Sequence, residues 1–523
     1  MTATKLSKSL RSFFSARLGS NNRRKPASSR LRIPDEIVLE IVKYISSPSS
    51  ILDLSAVSCH MRLLLLPRIY TDITIRTSEQ CHVVLASLAR NPNTCRQVRT
   101  LIVDPFALNW ASCTNEEVVD ESWTAKAIED IAAARFFTQL EHFGWHGETL
   151  PPDSLWATLR TFCPNLNSLE CSIAQRAIMP SRSTLYEFSN LSHFSLSVRK
   201  SDKLPASYNR HSRVLERLPE SLWDMLIHRC PRLTTLTIDG SHSLATLWDM
   251  EPMLQGHWPH LKSLAFDMDI MNHLKSKSRE QGHFYTSFLL EHSGLQDLRV
   301  GPEGLASLSR LQFDDNVLPS ILSLSGPLPH NHYRIQCLVV PEMLRVFRVP
   351  SELRDEMWDS LRALPALASL SISLQYREQD DDDYAERIHE LLRACPRLEH
   401  LDLAILPHIV VSDFSRALRD SKHLRSFTLT TVRKVTDEDL SQSAARLARQ
   451  HPNLESFSIR YARLWGSVDD ILFKSKATFE VVRDVYGNPS RLLGREAGYR
   501  YGKRVERRSC SKLGGRLSCH SVH

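Results

Sequence analysis

Between residues 31 and 58 the chain is apolar at almost every place a helix could use. After Pro34, Asp35 and Glu36 come Ile37, Val38, Leu39, Ile41, Val42, Tyr44 and Ile45, with only Glu40 and Lys43 polar among them. A proline in the first turn followed by two acids suits the positive end of a helix. A helix apolar nearly all round is buried nearly all round. A segment this small closes only a small core by itself. One stripe of the helix can therefore be satisfied within the segment, and the other predicts a partner.

Further along, the pattern shifts to a recurring short phrase: an apolar residue, two variable ones, Leu or Phe, one variable, then another apolar. Copies begin at Val98, Leu140, Leu166, Leu191, Leu233, Leu261, Leu295, Leu344, Leu367, Leu398, Leu424 and Leu454. Four of them follow Cys163-Pro164-Asn165, Cys230-Pro231-Arg232, Cys395-Pro396-Arg397 and His451-Pro452-Asn453, and helix-like runs such as Ser221–Arg229 lie upstream. Proline ends a helix and starts an extended segment. In the strand that follows, alternation places Leu236 and Ile238 inward and Thr235 and Thr237 outward. Helix, proline stop, short strand and return make one unit of a repeat whose apolar flank only its neighbours can cover.

Two resemblances follow from these residues. Ile33-Pro34-x-Glu36-Ile37, Ile41, Tyr44-Ile45, Asp53-Leu54 and Val57-Ser58 resemble the F-box, a three-helix module that docks onto the Skp adaptor of cullin-type ubiquitin ligases. Ile33 stands for the usual leading Leu, Tyr44-Ile45 for the Tyr/Phe-Leu pair, and Cys59-His60 for the basic pair. The aromatic expected next is Met61 or Leu63, a departure from the family pattern. The repeats resemble the degenerate leucine-rich repeats that often follow an F-box, although the signature Asn is mostly absent. The resemblance implies an α/β fold: a small three-helix F-box, then a leucine-rich-repeat-like α/β solenoid with a curved parallel sheet and helices on the convex side. The expected organisation is a basic arm at 1–30, the F-box-like module at 31–76, the solenoid at 77–465, and a C-terminal cap with a basic tail at 466–523.

Composition narrows this picture. Hydrophobic and charged fractions of 42% and 24% are ordinary for a folded protein. No run of about 18 apolar residues occurs, so no membrane span is expected. The 11 cysteines are scattered without a C-x-x-C pair. Cys163, Cys230 and Cys395 sit in apolar contexts, which predicts buried free thiols in a reducing compartment. The net charge of +7 is localised: the two basic ends, 1–32 and 491–523, together carry +16 and leave −9 on the body between them. Such arms can touch nucleic acid, anionic lipid or an import receptor; the expected reading is solvated tails. The Ser- and Arg-rich segment from Leu6 to Leu18 also has the composition of a transit peptide or a membrane-surface helix, and Arg23-Arg24-Lys25 that of an import signal. A transit peptide would contradict a ligase role.

The chemistry of enzymes is looked for and not found. Neither a G-x-x-x-x-G-K nor a G-x-G-x-x-G occurs, nor a G-x-S-x-G elbow or H-E-x-x-H. His330-Asn331-His332 reads as a polar loop after Pro327 and Pro329, and Asp380–Asp383 lacks the glycine and spacing of a calcium loop. Tyr499-Arg500-Tyr501-Gly502-Lys503-Arg504 interleaves aromatics with charge, as single-strand binders do, but one tail patch does not make nucleic acid an expected partner. No catalytic residue, metal ligand or cofactor is expected.

The functional expectation is therefore a substrate-recognition subunit. By the F-box resemblance, Ile33, Pro34, Ile37, Ile41, Leu54 and Val57 would bind the Skp adaptor and through it the cullin scaffold, in cytoplasm or nucleus. Outward strand residues, among them Thr235, Thr237, Asp239, Arg299, Ser371, Asp402, Thr428 and Arg460, would face an unknown target protein across the concave sheet. The alternative is a stand-alone interaction protein whose helical module only caps the repeats.

Overall fold

The computed structural model describes residues 34–45, 48–104, 121–174, 179–198, 214–240, 246–267, 287–300, 319–325, 335, 337–345, 359, 361–362, 364–375, 384–406, 411–432, 440–465, 467–484, 489–500 and 503–512. The chain divides into two compact units, Met1–Ile69 and Tyr70–His523.

Among its described residues the first unit has three helices: α1 (Asp35–Lys43), α2 (Pro48–Ser55) and α3 (Cys59–Tyr70). Pro34 immediately precedes α1, with Asp35 and Glu36 in its first turn and Lys43 in its last, as the helix dipole favours. Ser58 Oγ accepts the Met61 N–H at 3.0 Å and caps α3. Val38, Val42, Ile51 and Leu65 form the centre of this unit, with Ile45, Leu54, Met61, Leu64 and Ile69 packed partly against them. Val38, Val42 and Ile45 follow the helical spacing of a single face, so the core takes one stripe of α1.

The second unit is an α/β solenoid of leucine-rich-repeat type. Its main sheet contains β1 (Asp72–Ile75), β2 (Thr100–Val103), β3 (His142–His146), β4 (Ser168–Ile173), β5 (His193–Val198), β7 (Thr235–Asp239), β9 (Ser263–Asp267), β10 (Asp297–Val300), β11 (Ser323–Ser325), β12 (Cys337–Arg345), β13 (Ser369–Gln375), β14 (His400–Leu406), β15 (Ser426–Val432) and β16 (Ser456–Trp465), then β17 (Ser467–Arg483), β18 (Pro489–Arg500) and β19 (Lys503–Lys512). Of its 17 strands among the described residues, the last three pair antiparallel and the others run parallel in chain order. A separate parallel pair joins β6 (Val214–Arg217) to β8 (Thr246–Asp249).

One register runs through the whole parallel stack. Leu101, Phe143, Leu169, Phe194, Leu236, Leu264, Leu298, Leu324, Leu338, Leu370, Leu401, Phe427 and Phe457 are successive partners across the strands, all of them buried. The helices Ser78–Arg90, Glu121–Ala133, Asp153–Phe162, Tyr384–Ala394, Val411–Ala417 and Leu440–Gln450 contribute Leu85, Ile128, Leu159, Leu391, Phe414 and Leu447 to the same core. The turn into each strand is also shared. The anchor N–H of Leu166, Leu233, Leu398 and Leu454 donates to the carbonyl three residues earlier, on Cys163, Cys230, Cys395 and His451, at 3.1–3.3 Å. The proline stop thus places a buried Cys, or the half-buried His451, at the inside of a repeated turn.

The structure differs from the sequence reading in three places. The sheet begins at Asp72, inside the span expected to be helical, because Ile73 and Ile75 pair with Leu101 and Val103. The copy expected at Leu344–Val349 does not hold the ladder position of its strand. That place belongs to Leu338, which lies between Leu324 and Leu370, while Leu344 pairs with Leu374 beyond a register shift. Within the span expected to be a cap and basic tail, residues 467–484, 489–500 and 503–512 continue the sheet as antiparallel strands, with Phe479 and Val481 of β17 buried against the last repeat. The arm at 1–30, Ile33, His330-Asn331-His332, Asp380–Asp383 and residues 513–523 lie outside the described residues.

Candidate functional site

Two surfaces stand out, one in each unit. On α1 the residues beside the buried stripe make a second stripe at the same spacing. Ile37 is 50% exposed, Ile41 51% and Tyr44 82%, and after α2 Val57 is 72% exposed. Leu39, Leu52 and Leu63 are exposed as well. Most of the large exposed apolar residues among the described ones therefore fall in this short segment, and a cluster of exposed apolar side chains marks an interaction surface. Of the expected adaptor residues, Pro34, Ile37, Ile41 and Val57 are exposed, whereas Leu54 is half-buried against the Val38 cluster. His60 Nε2 meets Asp35 Oδ1 at 2.7 Å, tying the start of α3 to the start of α1, so the stripe rests on a fixed frame.

On the solenoid, the face of the sheet opposite the helices is half-exposed and polar. Its first row includes His142, Ser168, His193, Thr235, Ser263, Asp297, Ser323, Ser369, His400, Ser426 and Ser456. Its second includes Gly144, Glu170, Ser195, Thr237, Ala265, Arg299, Ser325, Ser371, Asp402, Thr428 and Ser458. The register therefore brings Thr237, Arg299, Ser371, Asp402 and Thr428 into one line, places Thr235 in the line before it, and puts Asp239 and Arg460 in the line after. Two of the expected residues neutralise acids of this face: Arg299 Nη2 lies 3.3 Å from Asp297 Oδ2, and Arg460 Nη1 lies 3.9 Å from Asp402 Oδ2.

The sequence reading passed over a group of histidines. On β3, His142 and His146 stand either side of Gly144 on the open face, and Glu170 of β4 is the register partner of Gly144. His142 Nε2 is 3.6 Å from Glu170 Oε2 and His146 Nε2 is 3.4 Å from Oε1. His142 Nδ1 is hydrogen-bonded to the Ser168 hydroxyl. The His193 ring stands edge-on to that of His142, with centroids 5.9 Å apart. The His142 N–H, with help from the other imidazoles, holds the Glu170 carboxyl below the usual carboxylate range despite its burial. Burial and the neighbouring His142 push His193 down, so its neutral form is favoured. The i, i+2, i+4 spacing of His142, Gly144 and His146 was the available signal; the cross-strand partner was not readable from one strand.

Among the described residues, no group of three or more His, Cys, Asp or Glu side chains is placed to hold a metal ion. The thiols of Cys95, Cys163 and Cys395 are buried and pushed up to about 12. Such thiols pack as small apolar groups and are poor nucleophiles. Among the described residues no helix is long and apolar enough to cross a membrane.

No family model matches the chain, and no curated protein does either. Solved structures are similar at low identity. The crystal structure of the Rad7 and Elc1 complex in yeast includes a chain 14% identical, covering 82% of this chain and 92% of its own, with a TM-score of 0.37. The leucine-rich repeat-containing protein LegL7 of Legionella pneumophila is 15% identical over 55% of this chain and 90% of its own, with a TM-score of 0.32. At these scores neither neighbour's role transfers to this chain.

Proposed function

We propose that this chain is a substrate-recognition subunit of a cullin-type ubiquitin ligase. The helical module docks the Skp adaptor through Ile33, Pro34, Ile37, Ile41, Leu54 and Val57, and the repeats hold a target protein on the open sheet face. The observation that carries this reading is the second apolar stripe of α1, left uncovered once the module's own core has closed. Burial of side chains of this size contributes roughly 1.5–3 kcal/mol each before the costs of association. The mechanism is proximity: a bound target is held near the ubiquitin carrier at high effective concentration, and the chain itself breaks and forms no bonds. The setting is cytoplasmic or nuclear, where such ligases work.

The test is co-purification of the full chain with the Skp adaptor, alongside the variant Ile37→Asp. Stoichiometric capture by the wild type and none by the variant supports the proposal. Absence of capture by the wild type supports a stand-alone recognition protein instead.

A further inference from the structure

Positive charge gathers at the finish of the sheet, and the strand register sorts it by face. In β18, Arg491, Leu493 and Arg495 are exposed, whereas Leu492 and Gly494 between them are buried. Leu492 belongs to the core, with Phe479 and Val481 of β17 and Leu447 of the helix Leu440–Gln450. The exposed positions therefore lie on the side away from that helix. Through β17 this side continues the open face. Ser456, Ser458 and Arg460 of β16 pair with Glu480, Thr478 and Lys476, which pair in turn with Leu493, Arg495 and Ala497.

The last strand completes the surface. Directly opposed residues of an antiparallel pair share a face. The ladder sets Lys512 opposite Arg491, Arg508 opposite Arg495, and Arg504 opposite Tyr499. These rungs recur every four residues, roughly 13 Å along the strands. The acids at positions of this face are Glu506, opposite Ala497, and Glu480, opposite Leu493. The helix side is different: there Glu496 opposes Arg507, and Gly494 opposes Ser509. Cations thus predominate on the side of the hairpin that continues the open face. In the sequence, Tyr499 to Arg504 reads as one patch in a tail; in the fold it closes a hairpin and makes Tyr499 the cross-strand neighbour of Arg504.

We propose that this end of the sheet binds a single-stranded nucleic acid, with phosphates on the rungs of Arg491 and Lys512, Arg495 and Arg508, and bases against Tyr499 and Leu493. A guanidinium fork matches phosphate oxygens, and an aromatic ring beside a cation is the pairing that grips an unpaired base. An acidic protein segment would use the cations and leave the aromatic without a role. The site goes beyond the ligase reading and does not depend on it, since the first unit contributes no residue to it.

The test titrates the full-length protein into a fluorescein-labelled oligothymidylate and follows anisotropy as salt is raised. Expected is saturable binding that weakens with salt. Arg495→Gln combined with Arg508→Gln should weaken it about tenfold and lower the slope of log affinity against log salt by about 1.4, two phosphate contacts at about 0.7 each. Tyr499→Ala should weaken binding about fivefold or more with the slope unchanged. Arg507→Gln, on the same strand and the other face, should leave affinity and slope at the wild-type level. Absence of saturable binding, binding unchanged in the double variant, or equal losses in Arg507→Gln and Arg508→Gln would overturn the proposal. Displacement of the label by polyglutamate as readily as by unlabelled oligothymidylate would overturn it in favour of an acidic protein segment. Adaptor capture measured on the same variants should stay at the wild-type level, which separates failure of this site from failure of the ligase reading.

Discussion

The ring of Phe427 stacks on that of Phe457, with centroids 5.1 Å apart and planes inclined by 13°. Phe457 stacks in turn on Phe479 at 5.0 Å, and Phe414 of the adjoining helix meets Phe427 edge-on at 5.0 Å. The stack crosses from the last parallel strand, β16, into the antiparallel β17, so it binds the finish of the sheet to the repeats. Phe457→Ala is expected to cost about 3–5 kcal/mol. Urea unfolding of the full chain should show the loss in the solenoid transition, with adaptor capture retained.

Ile37 and Val38 are adjacent in sequence and opposite in consequence. Val38 is 5% exposed within the module's core, whereas Ile37 is half exposed. Ile37→Asp should leave stability within about 0.5 kcal/mol, as surface changes do, and abolish adaptor binding. Val38→Asp should unfold the module through a buried unpaired charge. Circular dichroism and pull-down on the two variants check the contrast.

Acid should weaken the solenoid through histidines held neutral by burial or partial burial. His292 accepts the Trp258 N–H on Nε2 at 3.0 Å and donates from Nδ1 to the Phe288 carbonyl at 2.7 Å. His451 Nε2 donates to the Ser415 carbonyl at 3.1 Å. Burial pushes both below the ordinary value of 6.5, as it does His193. The folded state therefore takes up these protons later than the unfolded chain. Stability from these groups is complete above about pH 6.5 and declines as pH falls below it. Denaturation midpoints measured between pH 8 and pH 5 should fall at the acid end, and His292→Leu, though less stable overall, should lose part of that slope.

Thiol chemistry gives an independent map of the core. Cys59 is exposed, whereas Cys81, Cys95, Cys163, Cys171, Cys230 and Cys395 are buried. Burial pushes the Cys81 and Cys230 thiols up to about 11. Brief alkylation at pH 8 should label Cys59 in the native protein and reach the six buried thiols only after denaturation, as peptide mass spectrometry would read out.

The repeats were legible in the sequence because their strand pattern is strict: Leu236 and Ile238 inward, Thr235 and Thr237 outward, as the structure has them. The phrase failed where a residue broke its form. Ile73 replaces the leucine in β1, and after Leu324 of β11 the sequence has Gly326 where the phrase wants its final apolar residue. In β12 a better-looking copy at Leu344 masked the true anchor, Leu338. For α1, two apolar stripes were legible in the sequence with no means of choosing between them. The choice was made by Ile51 and Leu65, which close on Val38 and Val42. The Glu170 site depends on register between strands separated by a helix, so its histidines were visible and their meeting was not.

The reversal of direction at β17 has a consequence for how the molecule meets its own copies. A parallel stack can in principle accept one more strand at its margin, and exposed margins invite pairing between molecules. Here the final strand, β19, carries Lys503, Arg504, Arg507, Arg508 and Lys512 within ten residues. Another sheet edge drawing near would have to settle beside that run of like charge, so lateral growth is discouraged where the ladder stops.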